Sequence, residues 1–156
     1  SMVVEETLEA LREASQDDVG GIIALIRPLE EDGTLVKRDR SLIEREITNF
    51  TVIEHDGVIF GCAALYAFGD ETMGELACLA VNPNVQGQGD GERLLKRIEQ
   101  RARASGMKRL FVLTTRTGHW FLKRGFIPGT VDDLPRSRKN LYNWQRKSQV
   151  LLKTLA

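Results

Sequence analysis

One stretch, Leu79-Ala80-Val81-Asn82-Pro83-Asn84-Val85-Gln86-Gly87-Gln88-Gly89-Asp90-Gly91, constrains the fold of this chain more than any other. It reads as an apolar strand, a turn, a glycine-rich loop and the start of a helix. Glycines at alternate positions let the backbone approach a ligand without Cβ clashes. The new helix presents unpaired N–H groups and the positive end of its dipole, an anion site suited to a pyrophosphate. Taken alone, the stretch also fits a merely flexible connection. A dinucleotide-binding fold fits poorly, because its glycine loop follows the first strand of the domain and this one lies mid-chain. The missing Gly-Lys-Ser/Thr excludes a nucleotide P-loop.

The remaining periodicities supply a sheet and helices around this stretch. Leu11 to Ala14 reads as a first short strand. Ser15 is expected to cap a helix carrying Val19, Ile22, Ile23 and Ile26 at helical spacing, with Pro28 at its end or just past it. Ser41-Leu42-Ile43-Glu44 has the form of a capping box, with Leu42, Ile43 and Ile47 as a buried stripe. Phe50 to Glu54 and Val58 to Tyr66 are strands joined by an Asp56-Gly57 hairpin turn. Met73 to Val81 is a mostly apolar, central strand. Gly91 to Ala104 is a helix with Leu94, Leu95 and Ile98 on one face, closed by Gly106. Leu110 to Leu113 is a buried strand, Gly118 to Lys123 a short helix ended by Gly125, and Val150 to Leu152 a last strand. The order predicts a mixed α/β sandwich.

Composition narrows the class. The length of 156 residues suits one domain, and 42% apolar residues can fill its core. Lysine plus arginine number 22 and aspartate plus glutamate 22, so a broad nucleic-acid footprint is not expected. The two cysteines, Cys62 and Cys78, do not make a disulfide framework and fit a reducing, cytoplasmic setting. No apolar run is long enough to predict a membrane span. Ser1-Met2 reads as the remnant of a cleaved tag, and residues 3–156 as one domain.

Gln86-Gly87-Gln88-Gly89-Asp90-Gly91 resembles the Gln/Arg-x-x-Gly-x-Gly/Ala signature of the GNAT family of N-acetyltransferases, after a strand ending Leu-Ala-Val-Asn-Pro as in that family. Trp120-Phe121-Leu122-Lys123-Arg124-Gly125-Phe126 resembles its second motif, aromatic-x-x-x-Gly-Phe. The resemblance implies the GNAT fold, a mixed central sheet flanked by helices with the fourth and fifth strands splayed apart. It implies acetyl-CoA as co-substrate and no metal. Pantetheine would lie along Leu79, Ala80 and Val81. The loop Gln86, Gly87, Gln88, Gly89, Asp90, Gly91 and Glu92 would hold the pyrophosphate. A backbone N–H near Cys78 and Leu79 would polarise the thioester carbonyl. One departure stands out: where many members carry a tyrosine as general acid, this chain has Phe121. Tyr66 and Tyr142 are available, but neither fits the motif.

A narrower resemblance, to the acetyltransferase domain of bacterial N-acetylglutamate synthases, runs through Arg27 to Glu31, Glu75 to Val81, Leu110 to Arg116, His119 to Phe121, Leu134-Pro135 and Tyr142 to Ser148. It implies transfer of the acetyl group to the α-amine of L-glutamate, the first step of arginine biosynthesis. In the full-length family it also implies a linked amino-acid-kinase-like domain and a homo-oligomer. Such a domain is absent from these residues. A dicarboxylate acceptor needs convergent cations. The resemblance assigns Arg38, Arg146 and Ser148 to glutamate, with backbone near Cys78 and Leu113 lining the pocket. Arg146 and Ser148, two apart, would face one side of an extended segment. Both arginines also read as solvated surface charges. Glu75 is implied as the base that takes the amine proton; the bland alternative is a solvent-facing strand glutamate. Thr114 is implied as hydrogen-bond donor to the leaving thiolate, against a residue chosen for strand packing. Cys78 reads as an inert strand cysteine rather than a nucleophile. His119 has no histidine or cysteine cluster around it, so metal binding is not expected. Acetylation of another acidic amine and a silent acyl-CoA-binding module remain as alternatives.

Overall fold

A computed structural model describes residues 9–69 and 72–156. The tag remnant read at Ser1-Met2 lies outside the described residues. Among those described, the sheet has seven strands: β1 (Glu9–Glu13), β2 (Phe50–His55), β3 (Val58–Phe68), β4 (Met73–Val81), β5 (Arg109–Thr114), β6 (Ile127–Pro128) and β7 (Gln149–Thr154). Their order is β1-β2-β3-β4-β5-β7-β6, antiparallel throughout except for the parallel pair β4–β5. The helices are α1 (Val19–Glu31), α2 (Arg40–Arg45), α3 (Asp90–Ala104), α4 (Gly118–Leu122) and α5 (Arg136–Lys139). Among the described residues no helix is long and apolar enough to cross a membrane.

The helices cover both faces of the sheet. Leu94, Leu95, Ile98 and Ala102 of α3 pack with Ile53, Leu65, Leu76, Leu110 and Leu151 on one face. Val19, Ile22 and Ile26 of α1 and Ile43 of α2 pack with Phe50, Val52, Cys62 and Cys78 on the other. Ile98 is fully enclosed. Ile98→Ala is expected to lower stability by about 2–5 kcal/mol, read from the midpoint of urea unfolding.

Three local expectations are corrected. Pro28 lies inside α1, not at its end. Its missing N–H would have bonded to the Ala24 carbonyl, and both residues are exposed, so that carbonyl is open to solvent. The Ser-x-x-Glu box does not cap α2. The helix starts at Arg40 with Asp39 as N-cap, whose carbonyl accepts from Leu42 and Ile43, while Glu44 pairs with Arg40. Ser15 caps a short 3-10 turn, Gln16–Asp18, that leads into α1, and the Asp18 carboxylate accepts the Ser15 N–H at 2.7 Å. Neither β6 nor α5 was expected.

Two irregularities of β4 open the sheet at its centre. Its ladder with β5 covers only Met73↔Arg109, Gly74↔Leu110 and Glu75↔Phe111. Beyond Glu75 the strands diverge. The register with β3 also slips between Ala77 and Ala80, where Cys78 takes a left-handed φ of 53°. An extra residue in a strand reverses the faces of those after it. Leu76 therefore packs under α3. Past the slip Leu79 and Val81 take that face, and Cys78 and Ala80 turn to the α1 side.

Candidate active site

The divergence of β4 and β5 opens a cleft of about 810 Å³, lined by Leu76 to Val81 on one strand and Val112 to Thr114 on the other. The β4 edge facing it has lost its ladder partner, which leaves backbone groups available to an extended ligand. The glycine loop lies along the same cleft: Gln86, Gly87, Gly89, Asp90, Gly91 and Glu92 line it, whereas Gln88 does not. The glycines serve two purposes. Gly87 and Gly89 have φ of 88° and 85°, values that favour glycine. Gly91 is already helical, and a Cβ there would come within 3.2 Å of the Trp120 ring. Gly89 is the N-cap of α3, so the helix presents free N–H groups beside the opening.

At the crotch of the opening sits Glu75, the last residue paired with β5, and only 8% exposed. It is not a solvent-facing strand residue. Its Oε1 accepts from Arg138 Nε at 2.8 Å. Arg138 belongs to the four-residue helix α5, and nothing in its sequence neighbourhood singled it out. Arg38 lies nearby and is held by its backbone: Glu30 accepts its N–H at 2.8 Å, and Arg27 donates to its carbonyl at 2.8 Å. Burial lowers the Arg38 pKa, but interactions with Cys78, Tyr66 and Glu75 outweigh it, so the pKa lies above the ordinary arginine value. This is no freely solvated surface charge. Burial pushes the Cys78 thiol up to about 11, so no thiolate nucleophile forms at neutral pH. Burial also raises the Tyr66 phenol, whose hydroxyl donates to Glu46 at 3.2 Å.

Across the cleft, Thr114 ends β5 and is buried. Its Oγ1 accepts the Thr117 N–H at 3.0 Å and lies 2.7 Å from the Thr117 hydroxyl. Phe121 lines the cleft but is core, in edge contact with Trp120 and Phe126. The Tyr142 hydroxyl is committed to the Ser148 carbonyl at 2.7 Å. His119 lines the cleft in the first turn of α4. No group of three potential metal ligands occurs among the described residues.

The expectation for Arg146 and Ser148 needs correction. They do not share an extended segment, because residues 144–147 form a turn and Lys147 is left-handed at φ 53°. Arg146 donates to the Thr34 carbonyl at 2.9 Å, and Thr34 lines the cleft mouth. Ser148 lines a separate, smaller depression with Gly129, Thr130 and Trp144. The structure thus brings Glu75, Arg38 and Cys78 together, sets Leu113 and Thr114 opposite, and leaves Ser148 apart.

Comparison with known proteins gives a consistent picture. The Acetyltransferase (GNAT) family profile matches residues 8–126. An amino-acid acetyltransferase of Ralstonia nicotianae is 68% identical over 99% of this chain and 34% of its own length. One from Pseudomonas aeruginosa is 57% identical over 99% of the chain and 36% of its own. The structure of N-acetylglutamate synthase from Neisseria gonorrhoeae, complexed with coenzyme A and N-acetyl-glutamate, is similar with a TM-score of 0.92 and 46% identity, covering 97% of this chain and 36% of that one. The chain spans about a third of the length of these relatives.

Proposed function

The chain belongs to the acetyltransferase (GNAT) family, and from that premise we propose that it transfers the acetyl group of acetyl-CoA to the α-amine of L-glutamate, releasing N-acetyl-L-glutamate and CoA. The observation that carries this reading is a cleft with a phosphate-type glycine loop along it, which opens just past a buried Glu75 that has Arg38 and Arg138 as neighbours. The Neisseria gonorrhoeae relative, with CoA and N-acetyl-glutamate bound, supports both ligands. Residues 3–156 act as one acetyltransferase domain. The relatives' greater length fits a further linked domain in the whole protein.

The chemistry follows from the residues. Pantetheine adds to the free edge at Leu79 to Val81, and the N–H groups of Gly87 to Gly91 hold the pyrophosphate. The amine nitrogen attacks the thioester carbon directly, with no acyl-enzyme. Backbone N–H at the Cys78–Leu79 bulge donates to the developing oxyanion. As the C–S bond of the tetrahedral intermediate breaks, its second nitrogen proton passes to the departing thiolate, giving the amide and CoA, with the sulfur facing Thr114. Thr114 accepts the Thr117 N–H, and where the Thr117 hydroxyl also donates to it, its own O–H is left to hydrogen-bond the sulfur. Glu75 takes the proton that the ammonium must lose before attack. Arg38 and Arg138 hold the acceptor's carboxylates, and Arg138, drawn toward that new charge, releases Glu75 to act as base. Arg146, at the cleft mouth, is a third cation for the acceptor.

The test is CoA release from acetyl-CoA with a panel of free amino acids. Turnover is expected with L-glutamate, at least about tenfold above L-aspartate or L-glutamine, because a site built for charged hydrogen bonds rejects acceptors that leave them unmade. Equal turnover across the panel would remove the dicarboxylate reading.

A further inference from the structure

The cleft has a second built feature beside the glycine loop. Arg124 follows α4, and its guanidinium lies 3.9 Å from the centroid of the Trp120 ring. Trp120 packs against Gly91 in the first turn of α3. The stacked pair therefore abuts the N-terminus of that helix, and both residues line the cleft together with Gln86, Gly87 and Gly89. One Nη of Arg124 donates to the Trp120 carbonyl at 3.0 Å. Its Nε is enclosed and has no hydrogen-bond partner among the described residues. The backbone carbonyl of Arg124 accepts from Lys153, which is also paired with Glu99, so the segment is anchored from behind. The enclosed Nε is out of a ligand's reach, so a grip on phosphate oxygens falls to the Nη N–H groups of this indole-stacked guanidinium that Trp120 does not use.

The charge inventory points the same way. Among the described residues two arginines line the cleft, and the other, Arg116, lies against Gly33 in the α1–α2 connection. Arg93, on α3, is engaged by Glu9 and Asp90. The first turn of α3 itself carries Asp90 and Glu92. The loop N–H groups can serve a pyrophosphate, but a further phosphate monoester, with a charge of about −1.5 to −2, needs a cation of its own. Coenzyme A carries one on its ribose. We propose that Arg124, stacked on Trp120, forms the subsite for the 3′-phosphate of coenzyme A and makes the enzyme distinguish it from the dephospho form. This rests on the reading of the cleft as the acetyl-CoA site.

Calorimetric titration of CoA and 3′-dephospho-CoA onto wild type, Arg124→Gln and Arg124→Lys tests it. Wild type is expected to prefer CoA by about 10- to 100-fold, the worth of a charge-assisted contact. Arg124→Gln should cut that preference below about threefold by weakening CoA alone, with dephospho-CoA bound as before; Arg124→Lys should keep part of it, as a point charge without the fork. Equal weakening of both ligands in Arg124→Gln overturns the subsite while the cofactor cleft stands. Failure of wild type to bind CoA overturns the cleft reading and the subsite with it. A further measurement needs no variant: the wild-type preference should shrink as salt rises, because the contact is ionic. A wild-type preference below about threefold overturns the proposal whatever the variants do.

Discussion

Glu75→Gln is expected to lower turnover with glutamate by about 10²- to 10⁴-fold, the usual worth of a positioned general base. The substitution preserves volume and leaves the amide within reach of Arg138, so the fold and the cofactor cleft should be retained. What is lost is the group proposed to take the proton from the ammonium before the amine attacks. Raising the pH should recover part of the rate, because a growing fraction of the amine then arrives already deprotonated. Steady-state CoA release across pH, alongside CoA titration, checks both halves of this expectation. Full turnover in the variant would remove Glu75 as base. Loss of CoA binding would show instead that Glu75 supports the crotch of the β4–β5 opening, where it is the last paired residue of its strand.

The second large effect is expected at Arg38. Arg38→Leu should lower kcat/KM for glutamate by roughly 10²-fold, mostly through KM, as charged hydrogen bonds to a carboxylate are removed. The guanidinium stands beside Cys78, Tyr66 and Glu75, and Glu30 and Arg27 grip its backbone from both sides. That double hold restricts the segment before an acceptor arrives, so little ordering remains to be done on binding. Arg38→Lys should recover only part of the loss, because a lysine cannot offer the planar fork. An unchanged KM for glutamate in Arg38→Leu would assign the acceptor's carboxylates to Arg138 and Arg146 alone.

The sequence made some of this readable and hid the rest for definite reasons. The glycine loop was legible because Gly87 and Gly89 occupy conformations that disfavour a side chain, and that demand leaves a mark in composition. The strands and α3 were legible from their periods, since one face of each is buried. The β4 slip was not. Cys78 and Leu79 continue an apolar run, and a run without polar punctuation reveals nothing about which face each residue takes. Arg138 was hidden because its partner is 63 residues away and its helix is too short for a period. Arg146 and Ser148 misled because spacing alone assumes an extended chain, and the left-handed Lys147 between them breaks that assumption. At α2 the helix begins one residue before Ser41, so a valid capping pattern fell on residues already inside it.

The short β4–β5 ladder has a wider consequence. Among the described residues, three residue pairs are the whole backbone seam between the sheet formed by β1 to β4 and the one formed by β5, β7 and β6. An extended arm laid in the gap acts as a missing rung, closing the sheet across its weakest line. On the proposed reading the donor would then be part of the architecture as well as a reagent. Its binding energy adds directly to the free energy of unfolding, by about 2.7 kcal/mol at a hundredfold excess over Kd. On the proposed binding of acetyl-CoA, rigidity at this seam would follow the supply of the co-substrate, firmer with it bound and looser once the product has gone.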